Sequence, residues 1–318
     1  MHAAVLHTLG QLPRYEEFPE PVPGDGEVVV EVSAASLKPV DKQMASGSHY
    51  ASPRKLPSIC GTDGVGRLSD GQRVLFGGAR PPYGTMAERA AVRSAFTFPI
   101  PDSLSDETAA AIVNPGVSAW LSLAHRAKLA EGENVLILGA TGITGKLATK
   151  IAKLLGAARV VAAGRNRAAL DTLREQGADT TIQLDVPPDN LRDVFAREAS
   201  GGFQVVIDYV WGAPAEAFLA AITRHEFAAA EWETRYVQVG ESAGAAISLP
   251  AAVLRSAPVT IMGTAGIAPG EVLGNALQKV LAHAASGELQ IETERVPLAQ
   301  IEDAWGRQQS GRRIVVVP

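Results

Sequence analysis

Gly139-Ala-Thr-Gly142-Ile-Thr-Gly145 is the stretch whose residue types and spacing most directly suggest chemistry. Three glycines leave the turn open to a close ligand, and Thr141 and Thr144 add hydroxyl donors. A short apolar run at 135–138 precedes the turn and an amphipathic run at 146–155 follows it. The turn is therefore expected to join a strand to a helix. A helix start offers unpaired N–H groups and the positive end of the peptide dipoles, which together attract a pyrophosphate, and a Cβ would keep that group away. Gly145 is expected to let the helix pack closely on the strand. Glycine-rich turns are common, and the flanking strand and helix are what give this one weight. Gly139, Thr141, Gly142, Ile143, Thr144 and Gly145 form the candidate phosphate-binding set.

A dinucleotide on such a loop brings its adenosine ribose to the end of the second strand, about 20 residues on, where a carboxylate suits a free 2′-hydroxyl. Here that place reads Ala162-Ala163-Gly164-Arg165-Asn166-Arg167, with no carboxylate and two arginines. A guanidinium fork matches a phosphate dianion. The expected cofactor is therefore NADPH rather than NADH, with Gly164, Arg165, Asn166 and Arg167 around its 2′-phosphate. The plainer alternative is two solvated arginines opening a helix, an arrangement the helix dipole disfavours.

The surrounding pattern indicates what the loop belongs to. Strands are expected at 135–138, 159–163, 181–184, 204–208, 235–239 and 259–262, and helices at 146–155, 168–176, 190–199 and 215–222. Apolar strands alternating with amphipathic helices form a parallel sheet covered on both faces, an α/β doubly wound domain. Ligands of such sheets lie beyond the carboxyl ends of the strands. That adds the turns of Asp208, Tyr209 and Val210, of Gly240, Glu241 and Ser242, and of Gly263, Thr264 and Ala265. Residues 1–100 differ, with many Pro and Gly and short runs such as Val28-Val29-Val30-Glu31-Val32, and read as all-β. Ser105 is a candidate N-cap ahead of Asp106 and Glu107, and 117–129 reads as helix. The stretch 225–234 reads as an extended loop or helix end. A helix at 273–286, a short strand near Glu294, a helix at 298–309 and a strand at 313–317 close the chain.

The length of 318 residues suggests two domains at about 150 residues each. Hydrophobic residues at 46% and charged residues at 20% describe a soluble globular protein. A net charge of −5 supplies no basic field for a phosphate backbone, so nucleic acid is not an expected partner. Neither a secretory signal nor an apolar run long enough for a membrane span is seen, and a cytoplasmic protein is expected. The single cysteine, Cys60, excludes an internal disulfide.

Further segments follow one another in a specific order. They are Pro21-Val-Pro23-Gly-Asp-Gly26, Lys38-Pro-Val-Asp41, Gly61-Thr-Asp63-Gly-Val-Gly66, Gly71-Gln-Arg-Val74, Gly84-Thr-Met86-Ala87-Glu88, Ser118-Ala119-Trp120, Asp208-Tyr-Val-Trp211 and Gly311-Arg-Arg-Ile-Val-Val. Together with the glycine loop this order resembles the zinc-independent, quinone-oxidoreductase-like branch of the medium-chain dehydrogenase/reductase superfamily. Lys38 stands where that family has an asparagine, Met86 where it has a tyrosine and Trp211 where it has a glycine. The resemblance implies a Rossmann domain, 117–264, inserted in a GroES-like β-rich catalytic domain made of 1–116 and 265–318. It also implies a substrate cleft between the domains and a homodimer joined near 259–263. It places Asn114 and Ser118 near the nicotinamide ribose and the Gly263 turn near the nicotinamide amide.

Zinc-bearing relatives carry a Cys in the 38–41 region and Gly-His-Glu where this chain has Gly61-Thr62-Asp63. Catalytic zinc needs three protein ligands and the structural zinc lobe four cysteines, so no metal is expected and Cys60 reads as a packed thiol. Without a Lewis acid, alcohol oxidation is disfavoured. Hydride addition to an electrophilic small molecule, a quinone or an α,β-unsaturated carbonyl, is the chemistry left. Tyr50, Lys38 and the Ser118 hydroxyl are candidate donors to the developing oxyanion, with Asp41 orienting its neighbours. Alternatively, holding acceptor and nicotinamide together suffices and solvent gives the proton. Two other readings remain open: an enoyl-thioester reductase with Arg80, Arg89 and Arg93 at a basic entrance, and a non-catalytic NADPH-binding sensor.

Overall fold

The computed structural model describes residues 1–224, 232–264, 268–307 and 311–318. The expectations for most of 225–234, for Ala265 and for the end of the helix at 298–309 lie outside the described residues. The chain opens with β1 (His2–Leu6), β2 (Arg14–Glu17) and the long β3 (Glu27–Ser36). Helix α1 (Pro39–Ser46) follows and is not among the expected elements. Its sequence signals are Pro39 in the first turn and Asp41 at N3, whose carboxylate accepts the Lys38 backbone N–H at 2.8 Å in a capping box. Then come β4 (Ser58–Ile59), β5 (Asp63–Arg67), β6 (Arg73–Gly77), β7 (Arg89–Arg93) and β8 (Thr97–Pro99).

Helix α2 (Asp106–Trp120) is capped by Ser105, whose Oγ accepts the Thr108 N–H at 3.1 Å. The helix expected at 117–129 is continuous with it and runs into a π turn over Leu121–Arg126. The middle of the chain then alternates as expected. In order come β9 (Asn134–Leu138), α3 (Ile143–Leu154), β10 (Arg159–Gly164), α4 (Arg167–Glu175), β11 (Thr180–Gln183) and α5 (Pro188–Glu198). They are followed by β12 (Val205–Asp208), α6 (Gly212–Ala221), β13 (Thr234–Gln238), α7 (Ala251–Ser256) and β14 (Val259–Gly263). The six strands form one parallel sheet in the order β11-β10-β9-β12-β13-β14. This is the doubly wound Rossmann order, with its reversal beside β9, where ligands are held. Val135, Leu136, Ile137 and Leu138 of β9 and Val205, Val206 and Ile207 of β12 are wholly buried. That is why these strands read as unbroken apolar runs.

Helix α8 (Gly270–Ala285), β15 (Thr293–Pro297), α9 (Ile301–Gly306) and β16 (Arg313–Val317) end the chain. β16 pairs with β15 in parallel and with β3 antiparallel. The last strand thus returns to a sheet of order β15-β16-β3-β5-β6-β8, with β7 also on β3. A smaller sheet, β2-β1-β4, completes this part. Two compact units result: Met1–Asn114 with Leu281–Pro318, and Pro115–Val280. The second boundary falls inside α8, beyond the expected 264, because the start of α8 packs in the parallel-sheet unit. A Cβ on Gly116 of α2 would lie 2.7 Å from Val280 Cγ1. Among the described residues no helix is long and apolar enough to cross a membrane.

Contact between α3 and the loop before it is set by one glycine. A Cβ on Gly145 would lie 2.3 Å from the Gly139 carbonyl oxygen and 2.5 Å from Ala140 Cα, both main-chain atoms that cannot swing aside. Gly145→Ala is expected to cost about 1–3 kcal/mol through overpacking, read as a lower urea midpoint with unchanged slope.

Candidate functional site

Residues 139–145 form the mouth of the parallel sheet. Gly139 takes φ +85°, and its N–H and that of Ala140 both bond to the Ala163 carbonyl, at 2.9 and 2.8 Å, pinning the loop to β10. Gly142 caps α3 with no side-chain hydrogen bond, and the first helical bond runs from the Lys146 N–H to the Gly142 carbonyl at 2.9 Å. The N–H groups of Ile143, Thr144 and Gly145 therefore precede the helical ladder and point out of the helix start. Gly142 is exposed, and a Cβ there would meet nothing nearer than the Gly139 oxygen at 3.4 Å, so the approach to these donors is open. Gly164 leaves room for Thr141: a Cβ on it would lie 2.4 Å from Thr141 Cγ2.

β10 lies beside β9 with Ala163 opposite Leu138, which puts Arg165 and its neighbours next to the loop. Arg165 and Arg167 are exposed and make no side-chain hydrogen bond or ion pair among the described residues. Asn166, expected among the phosphate contacts, serves the next helix instead. Its Oδ1 accepts the Ala169 N–H at 3.1 Å and caps α4.

The turns at the carboxyl ends of β12, β13 and β14 lie on the same end of the sheet. Tyr209 and Val210 back the loop, since a Cβ on Gly139 would lie 2.8 Å from Val210 Cγ1 and 3.2 Å from Tyr209 Cβ. Ser242 Oγ donates to the Tyr209 carbonyl at 3.3 Å, and Gly240 sits against the Tyr209 backbone. The Tyr209 hydroxyl is buried and has no hydrogen-bond partner among the described residues. Glu241, Gly263 and Thr264 are exposed. Asp208 corrects the expectation of a cofactor contact. It is wholly buried and its carboxylate is used internally, Oδ1 by the N–H groups of Val210 and Trp211 and Oδ2 by the Tyr236 hydroxyl. Burial pushes this carboxyl above the usual carboxylate range, against those three hydrogen bonds. Asn114 is exposed and Ser118 half-buried, one turn apart on α2.

In the β-rich unit the structure corrects the role of Lys38. Its ammonium is 1% exposed and donates to Asp63 Oδ1 at 3.0 Å, the Ser36 carbonyl at 3.1 Å and Ser36 Oγ at 3.5 Å, with Asp41 Oδ2 at 3.4 Å. Three donors meet three acceptors, so none is left for an incoming oxyanion. Burial acts to lower the Lys38 pKa, but Asp41 and then Asp63 outweigh it and hold the ammonium above its ordinary range. Asp41 is buried with it, and its Oδ2 accepts the Lys38 N–H at 2.8 Å. Arg313 from β16, also buried, lends its charge to both carboxylates, while its Nη1 donates to the Leu37 carbonyl at 3.1 Å. Two cations thus balance two anions in one interior cluster, which sequence spacing does not reveal because Asp63 and Arg313 are distant in the chain. Tyr50 stands 90% exposed over the His49 ring, at 4.1 Å between centroids, and is not brought to this cluster. Cys60 is buried in the apolar core, and burial, with Asp41 nearby, pushes its thiol up to about 12. No group of three or more His, Cys, Asp or Glu among the described residues is arranged to hold a metal.

No family model matches the chain. Over 221 residues, 65% of its length, it is 30% identical to a mycocerosic acid synthase-like polyketide synthase of Mycobacterium tuberculosis, the match covering 10% of that protein. It is 26% identical, over 100% of both chains, to a probable NADPH-dependent quinone reductase of Emericella nidulans. The solved quinone oxidoreductase of Thermus thermophilus, whose complex with NADPH is also known, is 28% identical with a TM-score of 0.80, covering 100% of both chains. The chain therefore spans about a tenth of the first relative and the whole of the second.

Lys38→Met removes one cation and leaves Asp41 and Asp63 facing each other in the interior. An expected loss of about 3–5 kcal/mol follows from stranding buried charge. The deficit relative to wild type should narrow as pH falls, because the stranded carboxylates then take up protons. Urea unfolding of both proteins across acid pH checks this.

Proposed function

We propose that this chain, a member of the quinone-oxidoreductase-like branch of the medium-chain dehydrogenase/reductase superfamily, is an NADPH-dependent reductase of quinones or α,β-unsaturated carbonyl compounds. The observation that carries this is the pairing of an open helix start at Gly142, without a side-chain cap, with two arginines, Arg165 and Arg167, that have no side-chain partner among the described residues, at the end of the adjoining strand. Anions are favoured at such a helix start. A 2′-phosphate would give the two guanidinium groups the charge they lack.

The residues present fit that cofactor. The N–H groups of Ile143, Thr144 and Gly145, with Thr141 and Thr144 hydroxyls, bind the pyrophosphate. Gly164, Arg165 and Arg167 take the 2′-phosphate. Tyr209, Val210, Gly240, Glu241, Ser242, Gly263 and Thr264 line the carboxyl end of the sheet, and Asn114 and Ser118 face the nicotinamide ribose. When bound, NADPH supplies a hydride, which the acceptor takes together with one proton, becoming a hydroquinone or a saturated carbonyl. With Lys38 and Asp41 committed inside and Tyr50 out in solvent, holding the acceptor in place carries most of the rate and water gives the proton. The protein works in the cytoplasm as a homodimer through β14, which ends the sheet order among the described residues. The polyketide-synthase relative keeps acyl thioesters among the acceptors to test. Arg80 and Arg89, however, are paired with Glu27 at 3.3 Å and Glu20 at 2.8 Å, which speaks against a free basic entrance.

Loss of nicotinamide absorbance with quinones, enones and enoyl thioesters tests the activity. Turnover is expected with the first two. Tight NADPH binding without any turnover would favour the sensor reading. Arg165→Ala and Arg167→Ala should each weaken NADPH by about 10–100-fold, one charge-assisted contact, and leave NADH unchanged in a fluorescence titration. Equal binding of NADH and NADPH by the wild type would overturn the cofactor assignment.

A further inference from the structure

Trp211, just ahead of α6, has φ +55° and ψ −156°. Only glycine takes that backbone region readily, because a Cβ there crowds its own main chain. What keeps a tryptophan in it is the Asp208 carboxylate. Its Oδ1 accepts the N–H of Val210 at 2.7 Å and of Trp211 at 2.9 Å, folding the chain back on itself. Its Oδ2 accepts the Tyr236 hydroxyl at 2.6 Å, which anchors the carboxylate to the neighbouring strand β13. Hydrogen bonds to a buried carboxylate are strong and meet no competition from water. The Trp211 ring also packs edge-on to Tyr236, at 6.2 Å between centroids.

The strained turn reaches in two directions. On one side the Val210 carbonyl accepts the Ala243 N–H at 2.7 Å, and Gly212, at φ +58°, lies so close that a Cβ on it would come within 2.6 Å of the Ala243 oxygen. This ties the turn after β12 to the one after β13. On the other side Val210 and Tyr209 form the wall against Gly139. Each contact depends on the path of the backbone through Trp211.

The geometry points to Asp208 as a positioning residue for the nucleotide crevice: its carboxylate holds Trp211 in a glycine-type conformation and so fixes residues 208–212 against residues 240–244 and beside Gly139. Asp208 touches no ligand itself and acts through the turn. The inference rests on reading these carboxyl-end turns as cofactor-binding, and it assigns what sets their shape.

A glycine–alanine contrast at residue 211 tests it. Asp208→Ala removes both acceptor oxygens, so the N–H groups of Val210 and Trp211 lose their partner. It should raise the NADPH Kd and KM by about tenfold, with kcat at saturating NADPH within about twofold of wild type. D208A/W211G should recover most of the lost affinity, since glycine holds the turn without the carboxylate. D208A/W211A, which also lacks the indole but keeps a Cβ, should stay weak. Tyr236→Phe, which spares Oδ1, should lower the urea midpoint yet leave the NADPH Kd unchanged. Equal affinities for D208A/W211G and D208A/W211A, or a normal Kd for D208A, would overturn the proposal. The same set of variants is read without cofactor as urea midpoints, where glycine but not alanine at 211 should offset D208A. If the wild type bound no NADPH, the proposed function would fail, and this unfolding series would still decide the Asp208–Trp211 coupling.

Discussion

The main chain at Gly139 and the first turn of α3 lie so close that nothing larger than hydrogen fits between them at Gly145. This contact sets the angle at which α3 leaves β9, and hence the direction of the three N–H groups at its start. Neighbouring features serve the same end. Gly164 gives way to Thr141, the Ala163 carbonyl pins Gly139 and Ala140, and Val210 and Tyr209 close the other side. A ligand rich in phosphate can reach backbone donors here because side chains have been removed from its path and stacked behind it.

Much of this was legible in the sequence, for a definite reason. Strands buried on both faces read as unbroken apolar runs, and β9, β10 and β12 are such strands. Loops between them then fall in known places, so the glycine loop and the arginines after β10 stand out. Helices α1 and α7 were not legible. They have eight and six residues, too few for a periodic pattern, and their signals are Pro39, which opens α1, and Pro250, which precedes α7. The boundary inside α8 was equally hidden, since one continuous helix carries no mark of the point where it passes from one compact unit to the other.

Side-chain roles were harder to read than positions. Lys38, Asp41 and Asp208 have residue types suited to chemistry, yet all three are consumed by partners within the protein. Those partners, Asp63, Arg313 and Tyr236, come from other strands and are joined only by folding. A charged residue read alone invites a catalytic role. Once its partners are known, the cost of leaving any one of them unpaired in the interior gives a sufficient reason for it.

Strand β16 brings a last consequence. It supplies both a neighbour for β3 and the second cation of the interior cluster, and it follows the whole parallel sheet in the sequence. On the ribosome, therefore, Ala35 and Ser36 at the end of β3 wait without their β16 partners while the entire parallel sheet is synthesised. The parallel-sheet unit can mature first, and β16 joins β3 only after residues 313–317 have been made. A nascent chain stalled before residue 313 would carry a finished nucleotide-binding fold joined to a β-rich part in which β15 and the end of β3 lack their common partner, the kind of surface that recruits other chains. The burden on cellular folding factors thus falls on the N-terminal strands, although it is the C-terminal one that they lack.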